Sequence, residues 1–358
     1  GLIPAAGLRT ILITRRVEGM LLRRALPLTV LAASGVVLAG CASTSGEGAE
    51  SAPIVASTNV YASIAQALVG DAAEVTAVID DATQDPHSYE ASARDRLTVQ
   101  GATLVIENGG GYDPFMDDLL GGDAVVIEAV SFSHDYPGAE SEEEAHAEDE
   151  HAGETEEEHA AHAEDEHAEE PADEHAEHAH IEGFNEHVWY DPHTMVDLVE
   201  GLAEEIEHEL PDLVDAEALA ANRDALIADL EALEARLESL SATHEGEGVF
   251  LTEPIGGYLA AAAGLEDVTP EGFAESVEEG QDVAPATLLE ATRVVESGEV
   301  AVVLANAQTG GAETDRVIET AEAAGVPVVE LSELLADDQT YIEWMTANVD
   351  ALEQALSS

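Results

Sequence analysis

DAEALAANRDALIADLEALEARLESLS, residues 215–241, decides how the rest of the chain divides. Leu219, Leu226, Leu230, Leu233, Leu237 and Leu240 recur there at helical spacing, with charged residues between them. The spacing predicts one helix on the order of 40 Å long at about 1.5 Å per residue. A coiled-coil seam would use the same spacing. A single segment with alternating β and α patterns on both sides is instead expected to be a rigid spine, assigned here to residues 211–243, that joins two lobes.

The chain ahead of the spine reads as the first lobe, residues 53–133. Ile54 to Ser57, Glu74 to Ile79, Thr103 to Ile106 and Ala124 to Ile127 are expected strands, with helices at Val60 to Val69, Ala93 to Gln100 and Pro114 to Leu120. Strands alternating with short helices imply a parallel sheet covered on both faces. Gly109-Gly110-Gly111 lacks the Lys-Ser/Thr of a phosphate loop and the spacing of a dinucleotide fingerprint, so it reads as a tight turn. Residues 183–210 return to this lobe and carry a helix from about His193 to Glu209. Beyond the spine, residues 244–358 repeat the α/β style. Strands are expected at Gly248 to Leu251, Val300 to Leu304 and Val326 to Leu331, and helices at Leu259 to Ala263, Pro285 to Glu296, Glu313 to Ala324 and Tyr341 to Leu356. The fold class is therefore α/β: two lobes with parallel sheets, joined by a long helix, with a ligand site in the cleft between them.

Ligands in such sheets bind beyond the carboxyl ends of the strands. His87 lies in a loop after the second strand, where Pro86 restricts Asp85 before it. His187, in Asn185-Glu186-His187-Val188-Trp189-Tyr190-Asp191-Pro192, stands where low-complexity sequence ends, and it is expected to project from a strand end into a cleft as a metal ligand. Glu253 and Glu333 sit at strand exits of the second lobe, on the edge expected to face both histidines. Each acid alone reads as a helix cap. Opposite two imidazoles, each becomes a candidate ligand.

The formal net charge is -66 over 358 residues, and all 11 basic residues are Arg. Such a surface repels nucleic acid and anionic lipid and attracts cations, so no nucleic-acid partner is expected. Acidity spread into helices such as Glu204-Glu205-Ile206-Glu207 also suggests adaptation to salt. Between residues 134 and 182 the chain is mostly Glu, Asp, Ala and His, including His146, His151, His159, His162, His167, His175, His178 and His180. With so little to bury, this stretch is expected to be disordered. Imidazole and carboxylate together suit Zn²⁺, Cu²⁺ and Ni²⁺, so the run reads as a low-affinity metal collector, with a plain acidic linker as the alternative.

Residues 1–41 read as a leader. Met20-Leu21-Leu22-Arg23-Arg24 is a basic start, Ala25 to Val37 an apolar run of signal-peptide length, and Leu38-Ala39-Gly40-Cys41 its end. The signal is complete from Met20, which places the expected true start there. The last four residues resemble a bacterial lipobox, which makes Cys41, the sole cysteine, the expected site of lipidation. One Cys permits neither an internal disulfide nor a multi-thiolate metal site. Residues 42–52 read as a tether.

From Ile54 to the C-terminus the sequence resembles the zinc and manganese solute-binding lipoproteins of bacterial ABC importers, the ZnuA/TroA-like family. The likeness rests on Asp85-Pro86-His87-Ser88-Tyr89-Glu90, His187-Val188-Trp189-Tyr190-Asp191-Pro192, Thr252-Glu253-Pro254 with Gly257-Tyr258, and Pro327 to Glu333. It implies that His87 and His187 match the family's first two ligands. It puts the third ligand position on Glu253, where zinc-type members usually have His and manganese-type members Glu. The fourth falls on Glu333, with Asn306 or Gln308 as alternatives.

The implied function is an extracytoplasmic zinc receptor, held by lipid to the outer face of the membrane. It would act as a monomer that delivers Zn²⁺ to an ABC permease and its ATPase, with Mn²⁺ as the alternative cargo. It is not expected to be an enzyme. A zinc-dependent hydrolase would need an open coordination position and a general base, and no His-Glu-x-x-His run occurs. A surface metal buffer is the other alternative, and it would place the affinity in the His-rich run.

Overall fold

The structure is a computed structural model that describes residues 53–122, 124–137, 181, 183–336 and 339–358. The leader, Cys41, the tether and the histidines from His146 to His180 lie outside the described residues.

Two four-stranded sheets, both wholly parallel, form the frame. The first has the order β2-β1-β3-β4, from β1 (Ile54–Thr58), β2 (Thr76–Ile79), β3 (Leu104–Glu107) and β4 (Val125–Glu128). The second has the order β6-β5-β7-β8, from β5 (Gly248–Leu251), β6 (Glu266–Asp267), β7 (Val300–Asn306) and β8 (Val328–Leu331). Every residue of β1, β3 and β5 is buried, as expected of central strands covered on both faces. In the first lobe α1 (Asn59–Val69), α2 (Ala93–Val99) and α3 (Phe115–Leu119) supply the crossovers. Gly109, Gly110 and Gly111 form the tight turn after β3 at φ of 75°, 67° and 98°, a left-handed run that side chains disfavour.

The chain then runs through α4 (Pro192–Glu209) into the spine, α5 (Ala216–His244). Asp191 caps α4 by accepting from the backbone N–H of His193 and Thr194, and Asp215 caps α5 by accepting from those of Glu217 and Ala218. The spine buries Leu219, Leu226, Leu230, Leu233 and Leu237, the stripe expected from spacing, while Leu240 is half-buried against the same core. It touches α1 of the first lobe and α6 (Gly257–Ala262) of the second. It also packs against the closing helix, α10 (Tyr341–Leu356). Around β6 to β8 the second lobe adds α7 (Phe273–Glu278), α8 (Pro285–Glu296) and α9 (Ala312–Ala324).

The largest apolar core runs unbroken from Ile54 and Ile106 through Leu198, Leu230 and Trp344 to Leu251 and Leu304. Interlobe hydrogen bonds add to it: Tyr190 to the Ser332 carbonyl (3.0 Å), Tyr341 to the Trp189 carbonyl (2.6 Å), and Asn59 to the Leu335 carbonyl (3.0 Å). The two sheets therefore share one interior, so moving one lobe against the other would expose packed side chains.

Two elements differ from expectation. His187 does not leave a strand; it precedes a single 3₁₀ turn, Val188–Tyr190, whose three side chains are all buried. The Tyr190 N–H closes the turn by donating to the His187 carbonyl (3.1 Å), and Val188, Trp189 and Tyr190 all pack into the core. The second lobe also holds β6 and α7, which carry too little apolar sequence to stand out.

Candidate metal centre

His87, His187 and Glu333 each offer a ligand atom within 4.8 Å of the others. They come from three separate segments at the carboxyl edges of the two sheets, where parallel sheets place ligands.

His87 sits in the 3₁₀ turn Pro86–Ser88 after β2. Asp85 fixes that turn: its carboxylate accepts from the His87 N–H (3.0 Å) and from the Ser88 hydroxyl (2.8 Å). The His87 ring meets Tyr112 edge-on at 4.9 Å and lies 6.1 Å from the His187 ring.

His187 is almost fully buried at 1% exposure, and its tautomer follows from its neighbour. The side-chain amide N–H of Asn185 donates to the Pro254 carbonyl (3.0 Å), which leaves Asn185 Oδ1 as an acceptor facing His187. That oxygen takes the His187 backbone N–H (3.1 Å) and stands 2.8 Å from Nδ1, so Nδ1 carries the proton and donates. Nε2 is thereby turned toward the acids, the arrangement that orients ligating histidines generally. Asn185 links the lobes as well, because Tyr258 of the second lobe donates to its carbonyl (2.9 Å). Behind it, Asn108 donates to the Glu186 carbonyl (3.0 Å), accepts from Tyr61, and has its own N–H held by Asp113 (2.7 Å).

On the opposite wall Glu333 follows β8, and its carboxylate lies 3.7 Å from His187 Nε2. Asn306, at the end of β7, donates 2.7 Å bonds to both Glu333 Oε1 and Glu253 Oε2. The Thr309 hydroxyl lies 2.6 Å from Glu253. Glu253 is thus buried beside the site with its carboxylate turned to Asn306 and Thr309. The Gln308 amide is used by backbone at both ends: it donates to the carbonyls of Ala82 (2.8 Å) and Gln84 (3.1 Å) in the loop before His87, and it accepts from the Glu333 N–H. Asn306 and Gln308, alternative ligands from the sequence, have their side-chain amides bonded to the two acids, to the Glu333 N–H and to the loop before His87.

Two acids that the sequence reading did not single out also face the imidazoles. Glu278, the last residue of α7, places Oε1 3.6 Å from His187 Nε2, and it groups with His87 and Glu186 within the same 4.8 Å limit. The sequence holds one signal for it: Phe273, Ala274 and Val277 make a single amphipathic turn whose end presents Glu278.

The charges respond to this crowding. Burial pushes His187 down, but Glu333, Glu278 and Glu186 outweigh it and lift the imidazole to about 9. His87, lowered by burial, stays neutral more readily. Burial would raise Glu333, yet the two imidazoles and Tyr112 hold it below the usual carboxylate range. Glu253 moves the other way: burial lifts it despite its bonds from Thr309 and Asn306.

Two nitrogens and carboxylate oxygens, with no sulfur, form a donor set that suits Zn²⁺ and also Mn²⁺. A tetrahedral ion with bonds of about 2.0 Å needs neighbouring ligand atoms roughly 3.3 Å apart. The 3.6 and 3.7 Å separations at Nε2 need only a slight contraction to meet it.

Two parallel-sheet lobes meeting over such a cluster define the class of two-lobed solute-binding proteins with a site of ionic size. A family model described as the zinc-uptake complex component A, periplasmic, matches residues 54–355, and the chain belongs to that family of metal-binding receptors. No curated protein matches the chain. Solved structures share the fold. The laminin-binding protein of Streptococcus agalactiae, described as bifunctional with adhesin and metal-transporting activity, is 18% identical with a TM-score of 0.61, over 85% of this chain and 99% of its own. The cadmium-bound periplasmic metal-binding protein of Candidatus Liberibacter asiaticus is 15% identical with a TM-score of 0.59, over 85% and 98%. A ZnuA crystal structure is 18% identical with a TM-score of 0.57, over 85% and 96%. Among the described residues no helix is long and apolar enough to cross a membrane.

Proposed function

We propose that this protein is the extracytoplasmic zinc receptor of an ABC importer, with lipid on Cys41 holding it to the membrane. His87, His187 and Glu333 take the ion, and Glu253 supports Glu333 through Asn306. The protein passes the ion to a permease without chemical change. The observation that carries the reading is the fixed tautomer of His187, whose Nε2 faces Glu333 at 3.7 Å inside a closed interlobe cleft. Zinc is favoured over manganese because imidazole nitrogen binds Zn²⁺ more tightly in the divalent series. The carboxylates favour manganese as the second reading. Hydrolysis is disfavoured because the acids here face imidazoles and amides in a buried cleft, where catalysis would need an open coordination position.

The test is competitive Zn²⁺ and Mn²⁺ titration of residues 42–358 beside a His87→Ala, His187→Ala double variant. One tight zinc site lost in the variant supports the receptor. Tight zinc retained there moves the site to the His-rich run and favours a metal buffer.

A further inference from the structure

We propose that Glu107 and Glu128, at the carboxyl ends of β3 and β4, hold a hard divalent cation of the calcium type, in a site on the first lobe separate from the interlobe cleft. Such a site stands whatever ion the cleft takes.

Glu107 and Glu128 are Cα partners on neighbouring parallel strands, so their side chains leave the sheet on the same face. Glu107 is 7% exposed, and among the described residues its Oε2 meets no hydrogen-bond donor. A buried carboxylate oxygen without a donor is costly to keep charged. Glu128 is exposed, and its Oε2 would lie 3.4 Å from a Cβ added at Gly109, which places that carboxylate over the turn that follows Glu107. Asp117, exposed on α3, acts on Glu107 from a third element. The acids therefore make a buried floor with a rim open to solvent, the access an ion needs.

Asp113, buried in the same turn, accepts from the N–H groups of Asn108 (2.7 Å) and Gly109 (2.9 Å), so it adds charge while staying tied to the backbone. Burial, the largest cause, and the negative charges of Asp113, Glu128 and Asp117 push Glu107 up to about 8. Near neutral pH an ion must displace that proton, so affinity rises toward pH 8. Oxygen donors alone suit hard cations, where the imidazoles of the cleft suit Zn²⁺. Ca²⁺ tolerates irregular geometry and takes carboxylates through one oxygen or two, whereas Mg²⁺ demands an octahedron. A monovalent ion would leave most of the acids' charge uncompensated. An ion here would tie β3 to β4 beside Asn108, whose amide holds the Glu186 carbonyl next to His187.

The probe is Ca²⁺ alone, at about 10 mM against a site of roughly millimolar affinity, added to the full chain at pH 8 with ionic strength matched by NaCl. The wild-type melting temperature is expected to rise by about 2–4 °C, and by less at pH 6. Glu107→Gln, close in volume and uncharged, is expected to lose the shift. Glu128→Gln, at the exposed rim where folding is not at stake, loses it too, while the His87→Ala, His187→Ala variant keeps it. A full shift in either Gln variant, or its loss in the double histidine variant, places the ion elsewhere and overturns the site. A wild type unmoved by Ca²⁺ overturns it as well; if its stability then rises as pH falls from 8 to 6, and Glu107→Gln abolishes that rise, the acids hold only a proton.

Discussion

Zinc capture should release a proton, and the amount follows from one side chain. Without metal, His187 titrates at about 9, raised by Glu333, Glu278 and Glu186 against the opposing effect of burial. Its Nδ1–H is committed to Asn185, so the second proton sits on Nε2, the atom turned toward the acids. At pH 7 the ion must displace that proton. Two pH units below the titration point cost about 3 kcal/mol, or roughly a hundredfold in apparent affinity. The sign is fixed: the metal-free state holds the proton and the bound state does not, so affinity rises with pH and flattens above about 9. His87 is lowered from its usual value, so it adds little between pH 7 and 8. Calorimetry in buffers of different ionisation enthalpy should therefore find close to one proton released per Zn²⁺ at pH 7, and a tenfold gain in affinity per pH unit. Binding independent of pH over that range, with no proton released, would refute the assignment of His187 Nε2 as a ligand.

Asn185→Leu removes the acceptor that fixes the His187 ring and the donor to Pro254, and should weaken zinc about 10–100-fold in the same titration with little change in secondary structure. Leu230→Ala, at a fully buried point of the spine, should cost about 2–5 kcal/mol of stability, read by denaturant unfolding; a loss under 1 kcal/mol would mean the spine is not part of the shared core. Deleting residues 140–180 should abolish weak zinc sites and leave the tight one, measured as binding stoichiometry.

Much of the architecture could be read from the sequence because its signals are local and apolar. The leucine stripe of the spine matches the side chains that α5 buries, and the helix runs on to His244 because Ala242 and Thr243 carry nothing that stops it. The ends of α8 and α10 match the expected boundaries, each opened by a recognisable start, Pro285 at the first turn and the Thr340–Glu343 capping box. The strand β6 was hidden because its two residues, Glu266 and Asp267, are both exposed and charged. Short α7 was hidden because its apolar residues, Phe273, Ala274 and Val277, make only a single turn among acids, too short a pattern to stand out. His187, also expected at a strand end, precedes the 3₁₀ turn Val188–Tyr190 instead, whereas His87 and Glu333 could be placed by chain position after strands. The direction of Glu253 could not, since it depends on Asn306 and Thr309, more than 50 residues away in the chain.

The most direct test is anomalous diffraction at the zinc edge from crystals of the zinc-loaded protein. The account predicts a strong peak between His87 and His187 Nε2, with a Glu333 oxygen at about 2.0–2.2 Å. A cleft without a peak, with zinc only at other residues, would contradict it.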